Sequence, residues 1–202
     1  MTSSSLLANT SRGIRPEAKL VLEDGSVFTG EACGALGEVF GEVCFNTSLK
    51  GYLEVISDPS YAGQIVVMTY PQIGNYGVNT DDAQSSKPAL RGLVVHDICY
   101  TPSNWRSIQT LPEYLEQQGV VALSGIDTRD LTTHIRDKGA MRAVISTTDL
   151  DEVSLLDKVR KSPELVGANF VETVSGKEVH PYTKLPKSQS FALTEPQSCC
   201  CV

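Results

Sequence analysis

Between Gly92 and Lys161 short apolar runs alternate with segments carrying helix start and stop signals, and this order constrains the fold more than any other feature of the chain. Gly92-Leu-Val-Val-His-Asp-Ile reads as a buried strand. After it, Thr110 and Glu113 fit a capping box, in which a hydroxyl and a carboxylate each accept an otherwise orphaned backbone N–H. Pro112 suits the first turn of that helix and Gly119 its end. Val120-Val-Ala-Leu is the next strand, and Asp127 then caps a second helix whose Leu131 and Ile135 share one face and which Gly139 stops. Met141 to Ser146 predicts a third strand, and Leu150 to Lys161 a third helix with Leu155, Leu156 and Val159 as its apolar face. Strands separated by helices pair in parallel through right-handed crossovers, so this half predicts an α/β arrangement of βαβ units.

The first half has a different rhythm. Lys19-Leu-Val-Leu-Glu and Ser26-Val-Phe-Thr-Gly are β-rich runs joined by Asp24-Gly25, whose tolerance of positive φ predicts a tight type I′ hairpin turn. A glycine-punctuated stretch follows (Gly30, Gly34, Gly37, Gly41), then the strand Glu42-Val-Cys-Phe-Asn and the turn segment Thr47-Ser-Leu-Lys-Gly51. Gln64 to Tyr70 is a further strand after the Asp58-Pro59 turn, closed by Pro71, with Gly74-Asn-Tyr-Gly77 as loop. No linker separates the halves, which predicts one domain of two sheet layers plus helices over residues 18–174. Residues 1–17 read as a flexible tail and 175–202, broken by Pro181, Pro186 and Pro196, as a disordered linker or tail.

Charge limits the partners. The 17 Lys and Arg against 24 Asp and Glu give a formal net charge of −7, which argues against a general binder of nucleic acid or anionic membrane. The longest apolar runs, such as Ile65 to Met68, fall far short of the roughly 18 residues a spanning helix needs. Cys33, Cys44 and Cys99 are scattered, and Cys199 to Cys201 are consecutive, so the cysteines make no disulfide framework. A reducing, cytoplasmic compartment is the expectation, which makes the Asn-x-Ser/Thr matches at Asn9 and Asn46 accidental; organellar targeting by the Arg12- and Arg15-containing tail stays open. The terminal Cys-Cys-Cys-Val lacks the aliphatic pair and basic run of a prenylation signal, and soft-metal binding or an out-of-frame end are the other readings.

Searches for autonomous chemistry find little. No phosphate-loop, dinucleotide or Gly-x-Ser-x-Gly motif occurs, and His96, His134 and His180 are too dispersed for metal spacing. Cys99 and His96 are three apart, which on a strand sets them on opposite faces. Asp130 and His134, four apart on a helix, suit a surface hydrogen bond. Cys33 and Cys44 read as small core or loop thiols, and Glu42, Asp58 and Asp127 as turn and cap residues rather than an acid/base pair.

Several long segments, taken in order, carry a resemblance. Leu20-Val-Leu-Glu-Asp-Gly-Ser, Gly41-Glu-Val-Cys-Phe-Asn-Thr-Ser-Leu-Lys-Gly-Tyr, Asp58-Pro-Ser-Tyr-Ala-Gly-Gln-Ile-Val and Thr69-Tyr-Pro-Gln-Ile-Gly-Asn-Tyr-Gly-Val-Asn resemble the N-terminal domain of the carbamoyl-phosphate synthase small chain. Pro102-Ser-Asn-Trp-Arg, Gly125-Ile-Asp-Thr-Arg-Asp-Leu-Thr and Ile135-Arg-Asp-Lys-Gly-Ala extend the likeness over about residues 18 to 150. The resemblance implies an α/β, layered swivelling β/β/α-type domain, with antiparallel hairpins in its first half and βαβ units in its second. It also implies a part in a glutamine-hydrolysing ligase that makes carbamoyl phosphate from bicarbonate, ATP and glutamine nitrogen for pyrimidine and arginine synthesis. The implied partners are the large synthetase subunit, which carries ATP and Mg, and glutamine; no cofactor is implied for this chain.

In that family a following glutaminase domain holds a Cys-His-Glu triad in Gly-x-Cys-x-Gly and His-x-Glu strings, and neither string occurs in these 202 residues. The expectation is therefore a chain inactive as a hydrolase by itself. One family residue carries over: the Ser of Asn-Thr-Ser-x-x-Gly-Tyr, which helps bind glutamine across the domain boundary, matches Ser48. A hydroxyl suits that role because it pairs with the polar head of an amino acid without adding charge. Equally, Ser48 reads as a turn serine bonding its own backbone. Two other functions stand beside this one: a truncated regulatory module that occupies the synthetase without supplying ammonia, and an unrelated small-molecule enzyme on the same fold.

Overall fold

A computed structural model describes residues 15–165 and 167–176. Asn9, His180, the Cys199–Cys201 run and most of both expected tails lie outside the described residues. Strands β1 (Glu17–Leu22) and β2 (Val27–Ala32) form the predicted hairpin in antiparallel register, Leu20 opposite Phe28 and Val21 opposite Val27. Its connection is a three-residue loop rather than the expected two-residue type I′ turn. Gly25 N–H donates to the Leu22 carbonyl, Leu22 N–H to the Ser26 carbonyl, and Gly25 takes the positive φ of 96°. The Asp24 carboxylate accepts from Ser26 N–H at 2.9 Å and fixes the tip.

Strand β3 (Glu38–Asn46) leads into α1 (Tyr52–Ser57), a short 3-10 turn (Pro59–Tyr61) and β4 (Gln64–Met68). The expectation of hairpins throughout this half fails here, because α1 and the turn carry the chain back and β4 pairs with β3 in parallel. A buried-all-round helix of six residues leaves little polar periodicity: Tyr52, Leu53, Val55, Ile56 and Ser57 are all buried. The chain continues through β5 (Gln72–Ile73), β6 (Gly92–Val94) and β7 (Asp97–Ile98), where β5 and β7 form a separate two-stranded sheet. The single strand expected from Gly92 to Ile98 is thus two.

Helix α2 (Leu111–Gln117) carries both bonds of the predicted capping box, Thr110 N–H to Glu113 Oε2 at 3.0 Å and Glu113 N–H to Thr110 Oγ1 at 3.4 Å. It joins β6 to β8 (Val121–Ser124), a parallel neighbour, as a βαβ unit should. Helix α3 (Thr128–Lys138) then starts at Asp127, whose carboxylate accepts from Arg129 and Asp130 N–H groups. Strand β9 (Met141–Ser146) departs from expectation, since it runs antiparallel to both β3 and β1. The reason is where α3 goes. Leu131 and Ile135 pack among the residues inside the barrel, so α3 crosses the barrel mouth and the chain re-enters at the edge it left. Helices α4 (Glu152–Lys161) and α5 (Val171–Val174) follow.

Seven strands close on themselves in the order β1-β2-β8-β6-β4-β3-β9. The two separate sheet layers expected are therefore one sheet, with a parallel run (β3, β4, β6, β8) and an antiparallel run (β2, β1, β9) joined at both edges. Alternation along the strands sorts the core as period two demands. Leu20, Leu22, Ile65, Val67, Leu123 and Ile145 fill the interior. Val66, Met68, Leu93 and Ala122 face outward beneath α1 and α2, while Val21 and Val144 face outward beneath Leu155 and Val159 of α4.

Candidate functional site

In parallel α/β sheets, ligands bind beyond the carboxyl ends of the strands, where crossovers leave loops free. Here that edge carries the loop from Asn46 to Gly51, the turn after β4 at Pro71, and His96 after β6. Ser48 lies on the first of these and is exposed. Its backbone N–H donates to Asn46 Oδ1 at 2.8 Å, and Asn46 Nδ2 donates to Tyr61 Oη at 2.9 Å. Its hydroxyl has no hydrogen-bond partner among the described residues. The loop turn is thus made by Asn46, not by the serine side chain.

At the other end of the loop, Gly51 takes the N-cap position of α1 with φ 82° and ψ 32°, a left-handed bend that a side chain would strain. Tyr76 supplies what glycine lacks. Its hydroxyl oxygen accepts from Gly51 N–H at 2.8 Å and from Tyr52 N–H at 3.1 Å. The Tyr52 and Tyr76 rings stack with centroids 4.1 Å apart, and Tyr52 Oη donates to the Gly77 carbonyl at 2.6 Å. Burial pushes both phenols above their ordinary pKa, so both keep their protons at neutral pH.

Ser48 borders a surface hollow of about 320 Å³. Lys50, Glu54, Asp58, Gln84 and the Asn46 and Tyr61 side chains share it, with Val55 as an apolar wall. One cation, two carboxylates and several neutral hydrogen-bonding groups complement a small zwitterion better than an apolar ligand. Among the described residues that line it there is neither histidine nor cysteine. No cluster of three metal-ligating side chains exists among the described residues.

The other sequence candidates do not converge. His96 Nδ1 lies 2.8 Å from the Ile126 carbonyl and Cys99 Sγ donates to the Thr101 carbonyl, so each is separately engaged. His134 Nε2 bonds Asp24 Oδ2 at 2.7 Å instead of Asp130, tying α3 to the β1–β2 tip together with Lys138. Burial pushes the Cys33 thiol up to about 12 and the Cys44 thiol up to about 11, which keeps both protonated at neutral pH. Asp58 and Asp127 accept backbone N–H groups as cap residues do. The sequence reading does not include Tyr76, Tyr61 and Gln84 at the site, because nothing local marks residues that the fold brings there from 13 to 36 positions beyond Ser48.

Comparison with known proteins identifies the family. Residues 20–145 match the family model for the carbamoyl-phosphate synthase small chain, CPSase domain. The chain is 54% identical over 170 residues to the carbamoyl phosphate synthase small chain of Syntrophotalea carbinolica, covering 84% of this chain and 45% of that protein. It is 54% identical over 163 residues to the small chain of Thermotoga maritima (81% and 42%), and 50% identical over 167 residues to that of Aquifex aeolicus (83% and 45%). The chain therefore spans somewhat less than half the length of these relatives. A family model matched over most of the sequence, with identity at this level, shows that the chain belongs to the carbamoyl-phosphate synthase small-chain family.

Proposed function

We propose that this chain is the part of a carbamoyl-phosphate synthase small chain that docks on the large synthetase subunit and completes the glutamine site through Ser48. In this reading the pair is a heterodimer in the cytoplasm. Glutamine nitrogen passes to the large subunit, which binds ATP and Mg, and the carbamoyl phosphate formed enters pyrimidine or arginine synthesis. The chain supplies binding and not hydrolysis. The layered swivelling arrangement of the family is read here as the two runs of strands in the closed sheet.

The observation that carries the proposal is the state of Ser48: an exposed hydroxyl without a hydrogen-bond partner among the described residues, on a loop whose backbone is held by other side chains. A serine needed only for its turn would use its oxygen there. Calorimetry of the purified chain with the cognate large subunit, ammonia being present as nitrogen source, tests the docking half. Saturable binding is expected; a folded chain that does not bind refutes it. Glutamine hydrolysis by the chain alone would refute the assignment of a binding role.

A further inference from the structure

Two side chains from opposite sides fix the loop that carries Ser48. Asn46 holds its entrance, as described. Its exit is the weaker end by sequence, because an N-cap residue ordinarily accepts the free N–H groups of the first helical turn and Gly51 has no side chain to do so. Tyr76, 25 and 24 residues further on, provides a different acceptor at that end, its one oxygen accepting the N–H of Gly51 itself and that of Tyr52. The ring itself is located by its stack on Tyr52, and Tyr52 in turn is anchored to the Gly77 carbonyl in the next loop. The two roles are therefore separable: the rings stabilise the fold, while the Tyr76 oxygen sets the course of the backbone three residues beyond Ser48.

We propose that Tyr76 is a positioning residue for Ser48, fixing through its hydroxyl oxygen the direction in which the serine is presented to glutamine. This deepens the reading of Ser48 given above and rests on it. Tyr76→Phe deletes the oxygen and keeps the stack, and Tyr52→Phe is its control, since it deletes an oxygen that bonds Gly77 and not the loop.

In the 202-residue chain, Tyr76→Phe is expected to accelerate amide hydrogen exchange at Gly51 and Tyr52 roughly tenfold, the effect of losing their common acceptor. Val66 and Leu123 in the barrel keep their rates. In a complete small chain bearing this segment and assembled with its large subunit, Tyr76→Phe raises the KM for glutamine roughly tenfold, with kcat unchanged. Tyr52→Phe lowers the melting temperature and raises KM less than Tyr76→Phe does. Ser48→Ala raises KM, and the double variant with Tyr76→Phe adds less than the product of the two, because a displaced hydroxyl and a missing one lose the same contact. An unchanged KM in Tyr76→Phe beside a raised KM in Ser48→Ala overturns the positioning role and leaves the Ser48 reading intact. An unchanged KM in Ser48→Ala overturns that reading and the proposal with it. Equal rises in Tyr76→Phe and Tyr52→Phe overturn the proposal too, since lost stability then explains both.

Discussion

Gly30→Ala tests whether the sheet is closed. A methyl group at residue 30 would collide with the Ser124 carbonyl oxygen and lie 3.0 Å from both Ile126 Cγ2 and Leu123 Cδ1. The nearest of these is backbone and cannot swing aside, so β2 must move away from β8 by about an ångström. The ladder there has only two residue pairs, Glu31 with Ser124 and Ala32 with Leu123, and closes the barrel on that side. Its hydrogen bonds are worth about 1 kcal/mol each, and overpacking against Ile126 and Leu123 adds about 1–3 kcal/mol. A loss of about 3 kcal/mol is expected, a large part of the roughly 5–15 kcal/mol that holds a domain together. Gly119→Ala is the control: its φ is +70° with open space around the added methyl, so only the left-handed backbone strain of about 1 kcal/mol applies. Urea unfolding followed by circular dichroism gives both numbers, with the slope checked for constancy. Equal costs for the two variants would refute the close approach at the seam, and with it the closed sheet.

Three further outcomes follow from single groups. Burial works to raise the Asp24 carboxyl, but hydrogen bonds from Ser26 N–H, Lys138 and His134 outweigh it and hold the group well below the usual carboxylate range. A folded-state pKa below the unfolded one stabilises above about pH 4, and that contribution fades as pH falls through the folded value. Asp24→Asn should therefore cost about 1 kcal/mol at pH 7 and much less at pH 2, as read by urea midpoints across that range. Ser48→Ala should leave the unfolding free energy from urea titration within about 0.5 kcal/mol of the parent, because the hydroxyl is exposed and has no hydrogen-bond partner among the described residues. Iodoacetamide at pH 8 should label Cys33 only after unfolding, with mass spectrometry of the peptide as readout, since burial keeps that thiol protonated and out of reach.

Capping signals were read accurately because they are local: Thr110 with Glu113, and Asp127, lie within four residues of the groups they satisfy. Gly30, Gly34 and Gly41 were visible as punctuation, but their meaning is not local. A methyl at each would meet the carbonyl of Ser124, Val120 or Gly63 respectively, across a seam that exists only after folding. The direction of β9 was misread for a similar reason. Strand, helix and strand in sequence predict a parallel pair when the helix covers the sheet face, yet α3 buries Leu131 and Ile135 inside the barrel and closes its mouth. Ser48 is singled out by its motif, whereas the oxygen that holds its loop belongs to a tyrosine whose sequence neighbourhood reads only as loop.

The division of labour at the Ser48 loop bears on how its hydroxyl can be left open for the binding role proposed for it. A loop that must serve a shared site faces two demands: its backbone amides need partners, and its functional oxygen must stay free. A serine that caps its own turn meets the first demand by failing the second. Here Asn46 accepts the Ser48 amide, Tyr61 receives the Asn46 amide group, and Tyr76 accepts the two amides that follow. All three helpers are partly buried neutral groups, so they hold the loop without adding charge beside the hollow. The charges that remain there, Lys50, Glu54 and Asp58, are then available to a zwitterionic ligand or to the surface that delivers it.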